Sequence, residues 1–185
     1  MKQLIKEHWS VIRFILTFLG SYMIMFVAYS MYLRYIDHGV YYPDYITHIV
    51  GVQSQTLLEG LGYTVQLIPD QQFPYLQLHL NGDYIAYIVE GCNSISVIIL
   101  FIAFILSFTA KLKPMLFYIL GGSVLIYGFN LIRIIILAIA LKKYPQYQEV
   151  LHEVLFPGFI YAVVFALWVI WVKRFTKYNR DVKTA

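Results

Sequence analysis

Three side chains with chemical capacity stand far apart in this sequence: Cys92, Arg133 and His152. A thiol needs help to act as a nucleophile, because at an ordinary pKa near 8.5 only a few per cent is thiolate at neutral pH. A neighbouring imidazole can take its proton, and a guanidinium, which stays charged, can hydrogen-bond an oxyanion or fix a substrate carbonyl. Together the three types make a cysteine acyl-transfer site. Each also has a plainer reading. A single cysteine in an apolar chain is usually an inert small hydrophobe, and a histidine at a membrane boundary is usually a surface residue. Arg133 is the least ordinary, since an arginine at the centre of a membrane helix costs about 2.5–3.5 kcal/mol. Its structural alternative is to snorkel outward or to pair with Glu149 or Glu153 between helices.

The elements that must position these residues are apolar spans. Of 185 residues 60% are hydrophobic and 13% charged, about half the charge of a soluble domain, which argues against both an ordinary cytosolic protein and intrinsic disorder. One cysteine leaves no intrachain disulfide framework and no multi-cysteine zinc site. The net charge of +4 lies in short blocks beside apolar runs, which reads as membrane topology rather than a nucleic-acid patch. A hydrocarbon core of about 30 Å takes roughly 20 helical residues, and the segments near 12–34, 93–110, 115–141 and 153–172 meet that need. The first reads as a retained anchor, too long in its apolar part for a signal peptide and followed by no clear cleavage site. The expected fold is therefore an all-α polytopic membrane domain over 1–185 with about four transmembrane helices. An extracytoplasmic insertion, 35–91, lies between the first two.

Charge sets the expected orientation. Lys2, Lys6 and Arg13 before or in the first span, Lys111 and Lys113 after the second, and Lys173, Arg174, Lys177, Arg180 and Lys183 at the end make ten of the fourteen basic residues. Four crossings put them on one side, which the positive-inside rule makes cytoplasmic, with both termini inside. The other side has Arg34, Lys142 and Lys143 against Asp37, Asp44, Glu59, Asp70, Asp83, Glu90, Glu149 and Glu153. Trp9, Trp168 and Trp171 fit an interfacial aromatic belt on the inner side. Cys92 and His152 then lie at outer helix mouths. Arg133, 18 residues beyond Met115, is about 27 Å along its helix and reaches the same level. The start of the second span also offers Cys92 a helix N-terminus, which favours a thiolate.

Within the insertion, Ile46, Ile49, Val50, Leu57, Leu58 and Leu61 recur at helical spacing, broken by Gln53 and Ser54, which predicts an amphipathic helix over Asp44 to Leu61 lying on the membrane. The period then changes. Leu76, Leu78 and Leu80 alternate before Asn81-Gly82, and Ile85, Tyr87 and Val89 after it, which predicts a hairpin with a tight turn running into Glu90-Gly91-Cys92. Internal repeats and low-complexity tracts are absent.

Other motifs carry less. Glu149-x-x-His152 has the spacing of a di-iron ligand pair, but only one copy is present, and Asp37-His38 is isolated. There is no His-Glu-x-x-His, Gly-x-Ser-x-Gly or phosphate-binding glycine loop. Gly121, Gly122 and Gly128 suit close helix packing. Asn130, three residues before Arg133, suits an interhelical hydrogen bond or orientation of the guanidinium. Pro157 and Gly158 can kink the last span and open space at its mouth.

The blocks Val89-Glu90-Gly91-Cys92-Asn93-Ser94, Asn130-Leu131-Ile132-Arg133 and His152-Glu153-Val154-Leu155-Phe156-Pro157-Gly158, each beside a span, resemble the exosortase/archaeosortase family. Leu57-Leu58, Leu61-Gly62-Tyr63 and the hairpin into the cysteine are similar as well, so the likeness covers about residues 45 to 172. The short chain and the single span before the insertion resemble the compact F-type exosortases of Bacteroidetes. Many members have glycine two residues after the cysteine, where this chain has Ser94, which can alter the backbone near the nucleophile or add a hydroxyl donor.

The resemblance implies a membrane-embedded cysteine protease or transpeptidase of the bacterial inner membrane, its active site facing the periplasm. Its substrates would be secreted proteins ending in a sorting motif, a transmembrane helix and a basic cluster. Cys92 would be the nucleophile, His152 the general base and then acid, and Arg133 the oxyanion or peptide-positioning group, with Glu90, Asn93, Ser94 and Asn130 in support. An amine on a glycan or lipid, or water, would release the thioester. Membrane lipid and a membrane accessory protein are the other expected partners; neither a metal, an organic cofactor nor nucleic acid is expected. The alternatives are a non-catalytic assembly or scaffold subunit, using Arg133 and the outer acids as structural pairs, and a small transporter. The transporter is disfavoured because the second and fourth spans have almost no polar residue between their ends.

Overall fold

The computed structural model describes residues 8–35 and 41–175, without the side chains of His152, Glu153 and Phe156. Lys2, Lys6, Lys177, Arg180, Lys183 and the Asp37-His38 pair, which entered the charge count and the motif search, lie outside the described residues.

Long apolar runs give long helices. α1 is Trp9–Tyr35, 27 residues with none buried; among its contacts, Phe14 and Phe18 pack edge-on against Phe104 and Phe108. The second apolar run forms only α3, Ile95–Leu106, 12 residues or about 18 Å. α4, Leu112–Lys143, has 32 residues, about 48 Å, and α5 is Phe156–Phe175. Three helices, α1, α4 and α5, are therefore long and apolar enough to cross a membrane. α3 falls short of the expected 93–110 because Cys92 to Ser94 are taken up by turn backbone and Ser107, its hydroxyl donating to the Ala103 carbonyl at 2.7 Å, closes the other end.

The chain is mostly helical, but it is not all-α. α2, Tyr45–Gly60, is followed by β1 (Val65–Pro69), β2 (Leu76–Leu80) and β3 (Asp83–Ile88), a three-stranded antiparallel sheet in that order. The hairpin forms about Asn81 and Gly82, both at positive φ (52° and 88°), as a primed turn requires. β1 is a strand the sequence pattern did not reveal. A bulge lies where Leu78 faces Ala86 and His79 faces Tyr84, leaving Ile85 unmatched. The extra residue reverses the inward parity beyond it, so Ile88 is buried while Tyr87 is exposed, the opposite of the alternation read from Tyr87 and Val89.

α2 differs from expectation in its buried stripe. Asp44 caps it by accepting from the Ile46 and Thr47 amides at 2.9 and 3.1 Å. Thr47, Val50, Gly51, Ser54 and Leu58 face inward, while Leu57 and Leu61 are exposed. The stripe runs through the polar positions because the helix packs on the sheet: a Cβ on Gly51 would come within 3.1 Å of Leu76. Gln53 is used as well, accepting from the Tyr127 hydroxyl at 2.6 Å.

The helices share a core of Phe101, Ile105, Ile126, Val164 and Trp171. Gly122 admits Phe101, whose ring would lie 2.3 Å from an added Cβ. Tyr118 joins α4 to α5 by donating to the Leu167 carbonyl at 2.6 Å. Trp168 stacks on Phe104 at 4.3 Å and Trp171 is fully buried, so these two are packing residues and not the inner half of an aromatic belt.

At the far end of α4 the buried residues are Ile134, Leu137, Ala138 and Leu141, which support α2 and the sheet. Lys142 donates to the Leu80 carbonyl at 2.9 Å and lies 3.6 Å from Asp83. The C-terminal end of α4 and the 41–91 segment are therefore on the same side of the molecule.

Candidate active site

β3 leads directly into a single turn of 3-10 helix, Glu90–Cys92, closed by the Cys92 amide donating to the Val89 carbonyl at 2.7 Å. Half-buried Cys92 is thus held between a sheet strand and the start of α3. The Glu90 carbonyl accepts from the Asn93 amide at 3.3 Å.

Asn93 is completely buried and locks the turn to three elements. Its side-chain amide donates to Tyr29 of α1 at 2.7 Å and to Thr47 of α2 at 3.0 Å, and its Oδ1 accepts from the Ile95 amide at 2.9 Å. Ser94 follows at φ 64°, the left-handed region that glycine enters without penalty, and its hydroxyl donates to the Asn93 carbonyl at 2.6 Å. The departure from glycine at this position therefore falls on a residue whose backbone suits glycine.

Buried Asn130 on α4 donates from Nδ2 to the Cys92 carbonyl at 2.7 Å. It makes the interhelical bond foreseen for it, and its partner is the cysteine backbone. Arg133 comes three residues later, so it lies on nearly the same side of α4. With Cys92 it borders a small cavity of about 20 Å³, walled otherwise by residues such as Leu78, Ile88 and Leu137. The Nε of Arg133 is buried with no hydrogen-bond partner among the described residues. An Arg133–Glu149 pair is absent from the described contacts, and Glu149 is exposed.

Arg133 also borders a larger open cavity of about 570 Å³ between α4 and α5, with Val154, Leu155, Gly158 and Phe159. Val154 and Leu155 belong to the π-helical turn Val150–Leu155, which carries His152 two residues earlier. Pro157 lies in the first turn of α5, where its missing amide costs little, and Gly158 faces open space. The backbone therefore brings the His152 turn to the edge of the cavity that Arg133 shares. The described residues bring Cys92, Asn130 and Arg133 together.

Sequence reasoning did not single out Tyr29 or Thr47, the two hydroxyl groups that hold Asn93. The available signal was weak: one tyrosine among several in α1 and one threonine on a helix read as membrane-lying. Among the described residues no three His, Cys, Asp or Glu side chains converge as a metal site requires. Comparison with protein-family models, with curated proteins and with solved structures gave no match.

Proposed function

We propose that this protein is a membrane-embedded cysteine transpeptidase or protease of the exosortase type, acting on C-terminal sorting signals at the outer face of a bacterial inner membrane. The observation that carries the reading is that Cys92 and Arg133, 41 positions apart in sequence, border one cavity, with Asn130 bonded to the cysteine carbonyl.

Helix lengths support this membrane placement. About 30 Å of hydrocarbon measured from Leu112 ends close to Arg133, and the last ten residues of α4 emerge to carry α2 and the sheet. α3 completes a fourth crossing as the short member, with Cys92 at its outer mouth beneath that cap. A substrate tail would cross the bilayer beside α4 and α5, its basic end in the cytoplasm and its cleavage motif at the level of Cys92.

In the proposed reaction the Cys92 thiol gives its proton to His152 and Sγ bonds to the scissile carbonyl carbon. The oxyanion formed is held by Arg133. As the C–N bond breaks, His152 returns the proton to the leaving amine, leaving an acyl thioester on Cys92. An amine on a glycan or lipid, or water, attacks the thioester, His152 takes a proton from it, and the thiol is restored. Asn130 and Asn93 position the turn and touch no substrate.

The test is processing of a tail-anchored reporter in cells at matched membrane levels. Cys92→Ala, Arg133→Ala and His152→Ala should each abolish it. Full processing by Cys92→Ala would overturn the mechanism and favour an assembly subunit.

A further inference from the structure

A cavity of about 540 Å³ lies at the opposite end of the bundle from the hairpin, lined by the first turns of α1, the end of α3 and Val172 near the end of α5. Its walls are divided in chemistry. Phe14, Phe108 and Val172 are apolar, while Arg13, Thr17 and Thr109 are polar. Arg13 and Thr17 are four residues apart and share a face of α1. Lys111 and Lys113 follow Thr109, and Arg174 lies two residues beyond Val172. Among the described residues, α1, α3, α4 and α5 contain no aspartate or glutamate.

We infer that this cavity is a binding site for an anionic phospholipid. The phosphate lies on the Arg13 guanidinium with the Thr17 and Thr109 hydroxyls as donors, and the acyl chains run along Phe14, Phe108 and Val172. A bare phosphate ion matches the cation and hydroxyls but leaves the aromatic and aliphatic wall uncovered; a zwitterionic lipid covers the wall but brings its own positive charge to a cationic rim. The charge and the apolar wall together select an anionic lipid. The site is independent of the Cys92 chemistry.

The experiment is native mass spectrometry of the full chain purified in a nonionic detergent, with phosphatidylglycerol, phosphatidylcholine and inorganic phosphate as separate additions. Wild type should retain phosphatidylglycerol about fivefold better than phosphatidylcholine for each basic side chain engaged. Arg13→Gln should remove most of that preference, while Lys142→Gln, at the other end of the molecule, leaves it unchanged. Thermal unfolding of each variant shows that it is folded; should Arg13→Gln not accumulate, Lys111→Gln gives the same reading with a smaller loss. Equal retention of the two lipids, or a preference untouched by both Arg13→Gln and Lys111→Gln, overturns the proposal. Displacement of phosphatidylglycerol by millimolar inorganic phosphate alone would make the site one for a bare anion and overturns it as well.

Discussion

Around Cys92 the backbone is held by hydrogen bonds of the Asn93, Ser94 and Asn130 side chains. Ser94 stands in the left-handed region, which costs an L-residue about 1–2 kcal/mol, partly offset by the freedom a glycine would have in the unfolded chain. Ser94→Gly should therefore stabilise the protein by about 0.5–1 kcal/mol, seen as a small rise in Tm in detergent. A fall would mean that the Ser94 bond to the Asn93 carbonyl outweighs the strain. Asn130→Ala strips the Cys92 carbonyl of its buried donor and should cost about 1–3 kcal/mol, readable in the same unfolding assay. Arg133→Lys separates charge from shape. If the guanidinium serves the oxyanion, the lysine variant should stay folded yet process reporter on the order of 100-fold more slowly; wild-type rates would assign Arg133 only a charge.

At the scale of elements, the contacts that matter are close approaches. Gly122 gives way to Phe101, so Gly122→Ala should cost about 1–3 kcal/mol through overpacking, whereas Gly121→Ala, where an added Cβ meets nothing within 4 Å, should be nearly neutral. Equal effects would contradict the placement of α3 on α4. The loop between β1 and β2 is held by Asp70, which accepts from the Gln72 amide and from Gln77, and these donors hold its carboxyl below the ordinary 3.8. A lowered folded pKa means the stabilisation is complete above the unfolded value and is lost as pH falls through the folded one. Amide-exchange protection in residues 70–75, taken relative to the intrinsic rate at each pH, should fall below about pH 4, and Asp70→Asn should remove that step. Much of this level was readable in the sequence. The leucine alternation and Asn81-Gly82 specified the hairpin, and Asp44 marked the start of α2. The bulge at Ile85 was not readable, because one inserted residue leaves composition unchanged while reversing which side faces the core. β1 escaped for a related reason: only Val65 of its five residues is buried, so it has no period to detect.

At the scale of the whole molecule, the two ends differ in charge and in construction. One carries the sheet, the 41–91 segment and Lys142 paired with Asp83; the other gathers the start of α1 and the ends of α3 and α5 around one cavity. Since Cys92 is the only cysteine, a Cys92→Ser background permits single cysteines to be placed at Lys143 and at Lys113. A membrane-impermeant thiol reagent added to intact spheroplasts should label the first and spare the second; the reverse pattern would invert the proposed orientation. Hydropathy and charge made the number of apolar runs legible. They did not show that the second run is helical over only 12 residues, since Cys92 to Ser94 leave helical geometry for reasons of hydrogen bonding that hydropathy does not register. Trp168 and Trp171 were misleading in the same way: position near a helix end suggested an interface, while packing against Phe104 and Tyr118 decided their place.

The chemistry itself is tested most directly by looking for the covalent intermediate. Protein isolated with a tail-anchored reporter, digested and analysed by mass spectrometry, should show the Cys92 peptide bearing the reporter's acyl fragment, released by neutral hydroxylamine and missing from Cys92→Ala, which also fails to process the reporter. Processing that continues in Cys92→Ala, or a wild-type protein that processes reporter with Cys92 unmodified at every time point, would contradict the account.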